Sequence, residues 1–358
     1  MSAAALAKTL AIGENAGVRL IAPGPALALL VAAVVTFSCG GSAESEPPQV
    51  LVGGLPTLAP AGSASATPAA AEEVASPTAP PREPMVVSLA WLDGGTLVPD
   101  LPAPFAAPSG DGGLRAAIEA ALAGREGSYS VVVHNLADGR YAALNEDRVY
   151  YAASLYKLEL LLEAYRQRDA GELDFSRLLT VERKYVENDL GTLEGLGLIE
   201  GDMVSVADAI RAMTIVSDTP TAVLVQDTVN PARVDATLGS LGLTSTENAN
   251  RELPTTARDM ARLLTAIAAG EGGVGGSRVE MLSLLRQEWF TEGIVAGVPG
   301  EAAVAHKTGS YADATHDVAL VWGPAGPYVI AVLTDRSYDW EPLREVSRAV
   351  WDYFAANP

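Results

Sequence analysis

Residues 150–158 read Tyr150-Tyr151-Ala152-Ala153-Ser154-Leu155-Tyr156-Lys157-Leu158. A serine is followed one helical turn later by a lysine, and apolar residues then recur at helical spacing over 155–167. The spacing predicts a helix that opens at Ser154 and carries Lys157 on the same face, since side chains three apart on a helix are neighbours. A serine at a helix start also lies beside free main-chain N–H groups, which favour negative charge on a bound oxyanion. Taken alone, the pattern equally fits an N-cap serine with a surface lysine. The choice of lysine singles it out. Of the 24 Lys and Arg residues, only Lys8, Lys157, Lys184 and Lys307 are lysines. Arginine stays protonated in proteins, whereas a buried lysine can lose its proton and act as a base.

Two further short motifs lie downstream. Ser217-Asp218-Thr219 stands between helical patterns over 206–214 and 221–228, and Lys307-Thr308-Gly309-Ser310 precedes an apolar run over 318–322. Each has an ordinary reading, as a helix cap or as a strand end with a turn glycine. Around them, 114–123 is helix-patterned, 129–135 is Val-rich and strand-like, and Asp138-Gly139 marks a hairpin into a second strand near Tyr141. A helical pattern over 256–269 is followed by strand-like runs over 318–322 and 328–334 and a closing amphipathic helix over 342–355. Strands at both ends of a helical middle imply an α/β (α+β) fold. Its antiparallel sheet is built from both termini, and a helical subdomain is inserted in it.

Together, S-x-x-K, S-D-x and K-T-G in this order resemble the three-part signature of penicillin-recognising serine hydrolases. Residues 114–358 are similar to the class A β-lactamase family and its penicillin-binding relatives. The likeness extends over 150–158, Thr255-Thr256-Ala257-Arg258-Asp259-Met260 and His306-Lys307-Thr308-Gly309. It implies the serine β-lactamase/transpeptidase-like fold, a five-stranded antiparallel sheet flanked by helices, and a serine hydrolase that opens the β-lactam amide. Carried across, Ser154 is the nucleophile and Lys157 the base that activates it. Ser217 relays a proton to the leaving nitrogen, helped by Lys307. Lys307 and Thr308 bind the substrate carboxylate, Thr219 contacts the substrate, and the N–H groups of Ser154 and Ser310 form the oxyanion hole. The resemblance implies a β-lactam or peptidoglycan-derived substrate, no cofactor and a monomer.

Two positions depart from the family pattern. Thr219 replaces the Asn of S-D-N, so the two-donor side-chain amide is missing. Residues 241–254 are too short for the loop that carries the hydrolytic glutamate. Glu252, with Glu247 nearby, is the candidate deacylating base. Efficient acylation and slow deacylation are expected. The alternatives are a D,D-peptidase or esterase on the same scaffold, and a penicillin-binding or wall-sensing protein without turnover.

Composition narrows the classes. Apolar residues make up 49% and charged residues 19%, with a net charge of −20 and no basic patch, which excludes nucleic acid as a partner. One cysteine, Cys39, allows neither an intrachain disulfide nor a Cys-based metal site. His134, His306 and His316 form no metal-binding spacing, and His306 is expected on the strand face opposite Lys307. Residues 1–39 read as an export signal: Arg19, an apolar run over 20–37, then Ser38-Cys39-Gly40. Cys39 is a candidate lipidation site, against the alternatives of an uncleaved anchor or plain cleavage. Residues 40–110 read as a Pro/Ala/Ser/Gly-rich linker and 111–358 as the folded domain. The expected location is the periplasm or cell surface, with a membrane tether at the N-terminus.

Overall fold

The valines of 129–135 alternate between two apolar layers, and this places the central sheet. Val131 and Val133 enter one core cluster with Leu114, Ile118, Val346 and Phe354, while Val132 enters the other with the helical half of the chain. Residues 329–333 repeat the pattern, with Ile330 and Val332 on the first side and Val329, Ala331 and Leu333 on the second. Both faces are covered, so these strands read as nearly continuous apolar runs.

The computed structural model describes residues 82–358. The expected export segment with Cys39, and the linker up to residue 81, lie outside the described residues. In chain order the strands are β1 (Ser109–Gly110), β2 (Tyr129–Asn135), β3 (Arg140–Leu144), β4 (Tyr150–Tyr151), β5 (Leu178–Thr180), β6 (Met203–Ser205), β7 (Pro254–Thr255), β8 (Val304–Tyr311), β9 (Ala314–Gly323) and β10 (Gly326–Thr334). The main sheet has the order β1-β3-β2-β10-β9-β8. Five of these strands are antiparallel neighbours, as expected, and the two-residue β1 adds a parallel edge beside β3. Helix α1 (Gly112–Ala121) and the C-terminal helix α8 (Glu341–Ala356) cover one face.

The inserted helical half contains α2 (Tyr156–Asp169), α3 (Val206–Ile215), α4 (Thr219–Val229), α5 (Pro231–Ser240), α6 (Ala257–Ala269) and α7 (Arg278–Leu285). Helix α2 runs through its centre and is buried on nearly every side, including Leu158, Leu160, Leu161, Leu162 and Tyr165. That burial explains why α2 lacks a clean polar face.

The expected linker ends earlier than residue 110. Val87, Leu89 and Leu92 are buried in the core, and Val87 N donates to Met203 O at 2.8 Å while Met203 N donates to Met85 O at 2.9 Å. An extended segment with apolar residues two apart can cap a helical surface, and the surrounding Pro- and Ala-rich composition hides it. Leu89→Ala is expected to cost about 2–5 kcal/mol by the usual penalty for a buried leucine. Denaturant unfolding checks this, and a loss below about 1 kcal/mol would contradict the packing described.

Candidate active site

Ser154 lies in the tight turn Ala153–Leu155 that leads directly into α2. Ala153 just before it has a φ of +45°, an unusual conformation for a residue with a side chain. Three contacts hold that turn. Strand β4 pairs with β7, and Ala152 N donates to Leu253 O at 2.8 Å. From the sheet, neutral His316 bridges to the strand before the serine. Its Nε2–H donates to Tyr151 O at 2.9 Å and its Nδ1 accepts from Thr334 N at 3.3 Å. Burial lowers the His316 pKa to about 4, which keeps the ring in that neutral state. Finally, Gly309 of β8 passes so close that a Cβ there would sit 3.0 Å from Ala152 O and 3.2 Å from Leu155 N. The glycine of K-T-G is therefore needed for the sheet edge to reach the nucleophile turn.

The expected acylation residues converge. Lys157 Nζ is 3.1 Å from Ser154 Oγ, 3.1 Å from Ser217 Oγ and 2.5 Å from Ser217 O. Ser217 has a φ of +56°, a second strained position. Thr219 Oγ1 lies 3.5 Å from the same amine. Asp218 caps α4, accepting from Thr221 N at 2.7 Å, and its charge favours the protonated Lys157 amine. Burial, joined by the charge of Lys307, lowers the Lys157 pKa from 10.5 to about 7. At neutral pH about half of the amine is therefore free to accept the serine proton.

Lys307 and Thr308 were expected to hold a substrate carboxylate, and the structure gives them one from the protein itself. Glu288, just beyond α7, accepts from Lys307 Nζ and from Thr308 Oγ1 at 2.6 Å. The Thr308 N–H donates to both Glu288 oxygens, at 3.1 and 2.9 Å. His306 Nδ1 stands 3.6 Å from Glu288 and 3.1 Å from Asp317, which also accepts from Ile294 N at 2.8 Å. Burial alone would lower the His306 pKa, but the two carboxylates outweigh it and raise it. His306 therefore joins a buried charge cluster and is not the bystander its strand position suggested.

Glu252 does not reach the site. It is exposed, as is Glu247, and neither lines the cleft at Ser154. That cleft, about 390 Å³, is lined by Ser154, Thr219, Gln226, Leu253, Ser310 and Tyr311, among others. The loop before β7 turns at Leu253, whose φ is +40°, and this residue faces the cleft. Gln226 Nε2 donates to Asn248 Oδ1 at 2.7 Å, and Asn248 Nδ2 donates to buried Glu159 at 2.9 Å, tying the same loop to α2. Glu288, Asp317, Gln226 and Leu253 belong to no short motif. The only sequence signal was an acid directly before apolar residues, Trp289-Phe290 after Glu288 and Val318-Ala319-Leu320 after Asp317.

A sequence model of the beta-lactamase enzyme family matches residues 113–354. No curated protein sequence matches the chain. Among solved structures, PBP-A aligns with a TM-score of 0.66 at 24% identity, over 70% of this chain and 99% of that one. A β-lactamase from Sphaerobacter thermophilus gives 0.63 at 26% identity, over 69% and 98%. TLA-1 extended-spectrum β-lactamase gives 0.63 at 22% identity, over 68% and 98%.

Proposed function

The chain belongs to the beta-lactamase enzyme family, and from that membership and the geometry around Ser154 we propose that it is an exported serine hydrolase that opens the β-lactam amide through an acyl-enzyme and releases the product slowly. The observation that carries this reading is the Ser154–Lys157–Ser217 triangle, with the amine 3.1 Å from both hydroxyl oxygens. Neutral Lys157 takes the Ser154 proton as Oγ attacks the lactam carbonyl carbon. The oxyanion that develops is met by the N–H groups of Ser154 and Ser310. As the C–N bond breaks, the proton on Lys157 passes through the Ser217 hydroxyl to the departing nitrogen, which leaves Ser154 acylated and Lys157 neutral. Water must then cleave the ester and return a proton to Ser154. Neither acid of the 244–253 loop lines the cleft, where Leu253 does, so the acid expected to direct that water is missing from its place, which supports slow release. The carboxylates that do line the cleft, Glu187 and Asp189, come from a different segment. A solved structure of a PBP-A point variant is an acyl-enzyme complex with penicillin G, which supports β-lactams as acylating agents. Export rests on the apolar leader and Cys39.

A fluorescent penicillin that survives denaturing electrophoresis on the wild-type chain and is missing from Ser154→Ala is the expected outcome. Absence of labelling and of turnover in folded protein would contradict the proposal. The pH dependence follows from Lys157. The amine must be neutral to act, so the acylation rate constant should rise about ten-fold per pH unit below about 7 and flatten above about 8. A flat profile between pH 5 and 8 would remove Lys157 from the role of base. The second reading, a penicillin-binding protein without turnover, is favoured by the same Leu253 and is distinguished by the lifetime of the adduct.

A further inference from the structure

We propose that Glu288 already fills the carboxylate anchor formed by Lys307 and Thr308, so that the cleft favours acyl donors without a carboxylate beside the scissile bond. This rests on the Ser154 acylation reading above and concerns which donors the site accepts. The first ground is occupancy. The Lys307 ammonium, the Thr308 hydroxyl and the Thr308 N–H all donate to Glu288. The Glu288 side chain is 0% exposed and that of Lys307 1% exposed. A substrate carboxylate would have to displace a buried anion and leave it unpaired, which is strongly unfavourable.

The second ground is the wall of the cleft. Among the described residues lining it there is no arginine or lysine, while Glu187 and Asp189 contribute carboxylates. The remaining cation near the serine, Lys157, is buried, does not line the cleft, and loses its charge as pH rises above about 7. The whole chain carries −20, which repels an approaching anion further. What the mouth offers instead is apolar. The rings of Tyr151 and Tyr311 stand 5.9 Å apart at 55°, are 37% and 53% exposed, and flank the cleft. They suit a flat or hydrophobic group on an uncharged amide or ester.

Penicillin G and its methyl ester differ at the group in question and share the lactam. With the full chain, the rate of Ser154 acylation is measured for each by intact mass. The wild-type protein is expected to react with the ester at least as fast as with the acid. Glu288→Gln keeps an acceptor for Lys307 and Thr308 but removes the negative charge. It should shift the acid-to-ester ratio toward the acid by about ten-fold or more. The ratio cancels a general loss of activity, and circular dichroism confirms that the variant is folded. A wild-type preference for the acid of about ten-fold, or an unchanged ratio in Glu288→Gln, would overturn the inference while leaving the acylation reading intact. No reaction with either compound would bring down that reading, and this inference with it.

Discussion

Lys157→Met is expected to slow acylation of Ser154 by about 10³-fold while raising the melting temperature. The loss follows from removing the base, since positioned proton transfer contributes about 10²–10⁴-fold. The gain follows from linkage. In the folded chain the amine has a pKa of about 7, against the ordinary 10.5. Above pH 10.5 the amine is neutral in both states and carries no penalty. As pH falls toward 7 the unfolded chain takes up the proton and the folded chain does not, so stability drops, and the penalty is complete below about 7. At neutral pH this costs on the order of 4 kcal/mol. Methionine removes that cost but leaves Ser154 Oγ and Ser217 O without their partner, which returns about 1–3 kcal/mol. A net gain of about 1–3 kcal/mol corresponds to about 2–12 °C. It should be larger at pH 7 than at pH 10. Thermal scans at the two pH values check the sign, and a lower melting temperature at pH 7 would show that Lys157 is not held against its charge.

Leu253→Glu is expected to shorten the lifetime of the acyl-enzyme by about 10²-fold, the scale of general-base assistance to an attacking water. Leu253 faces the cleft from the loop whose main chain holds the nucleophile turn, through the Ala152 N to Leu253 O bond. A carboxylate at that position would stand where neither Glu247 nor Glu252 does. The φ of +40° is already occupied by a residue with a Cβ, so glutamate adds no new backbone conflict. Glu252→Gln should leave the lifetime unchanged, because that side chain is exposed and outside the cleft. An adduct equally long-lived in Leu253→Glu would mean that the cleft wall is not what limits release.

Much of this was legible in the sequence because the chemistry is local. Ser154 and Lys157 are one helical turn apart, so helix geometry alone brings them together. Ser217 and Lys307 were located through motif order, and the structure joins them around the Lys157 amine and Glu288. The central strands were readable as Val-rich apolar runs, and the burial of both their faces came only with the structure.

What escaped depended on distance or on one residue of register. Glu288 meets Lys307 only through the packing of the segment after α7 against the edge strand β8, which no short pattern encodes. Glu252 and Leu253 are adjacent, and the turn at Leu253 decides which of them faces the cleft. Residues 85–92 form a short apolar patch inside a stretch of linker composition, which left open whether they pack on the domain. Val87, Leu89 and Leu92 bury their side chains because the helical half leaves apolar surface for them to cover.

The central claim is that Ser154 is acylated readily and released slowly. Intact-protein mass spectrometry followed over time with excess penicillin G, and then after its removal, measures both steps on the full chain. The expected result is complete conversion to one adduct, mapped to Ser154, that persists long after the free drug is gone. Hydrolysed penicillin accumulating with no adduct ever detected, or no reaction at all from folded protein, would contradict it.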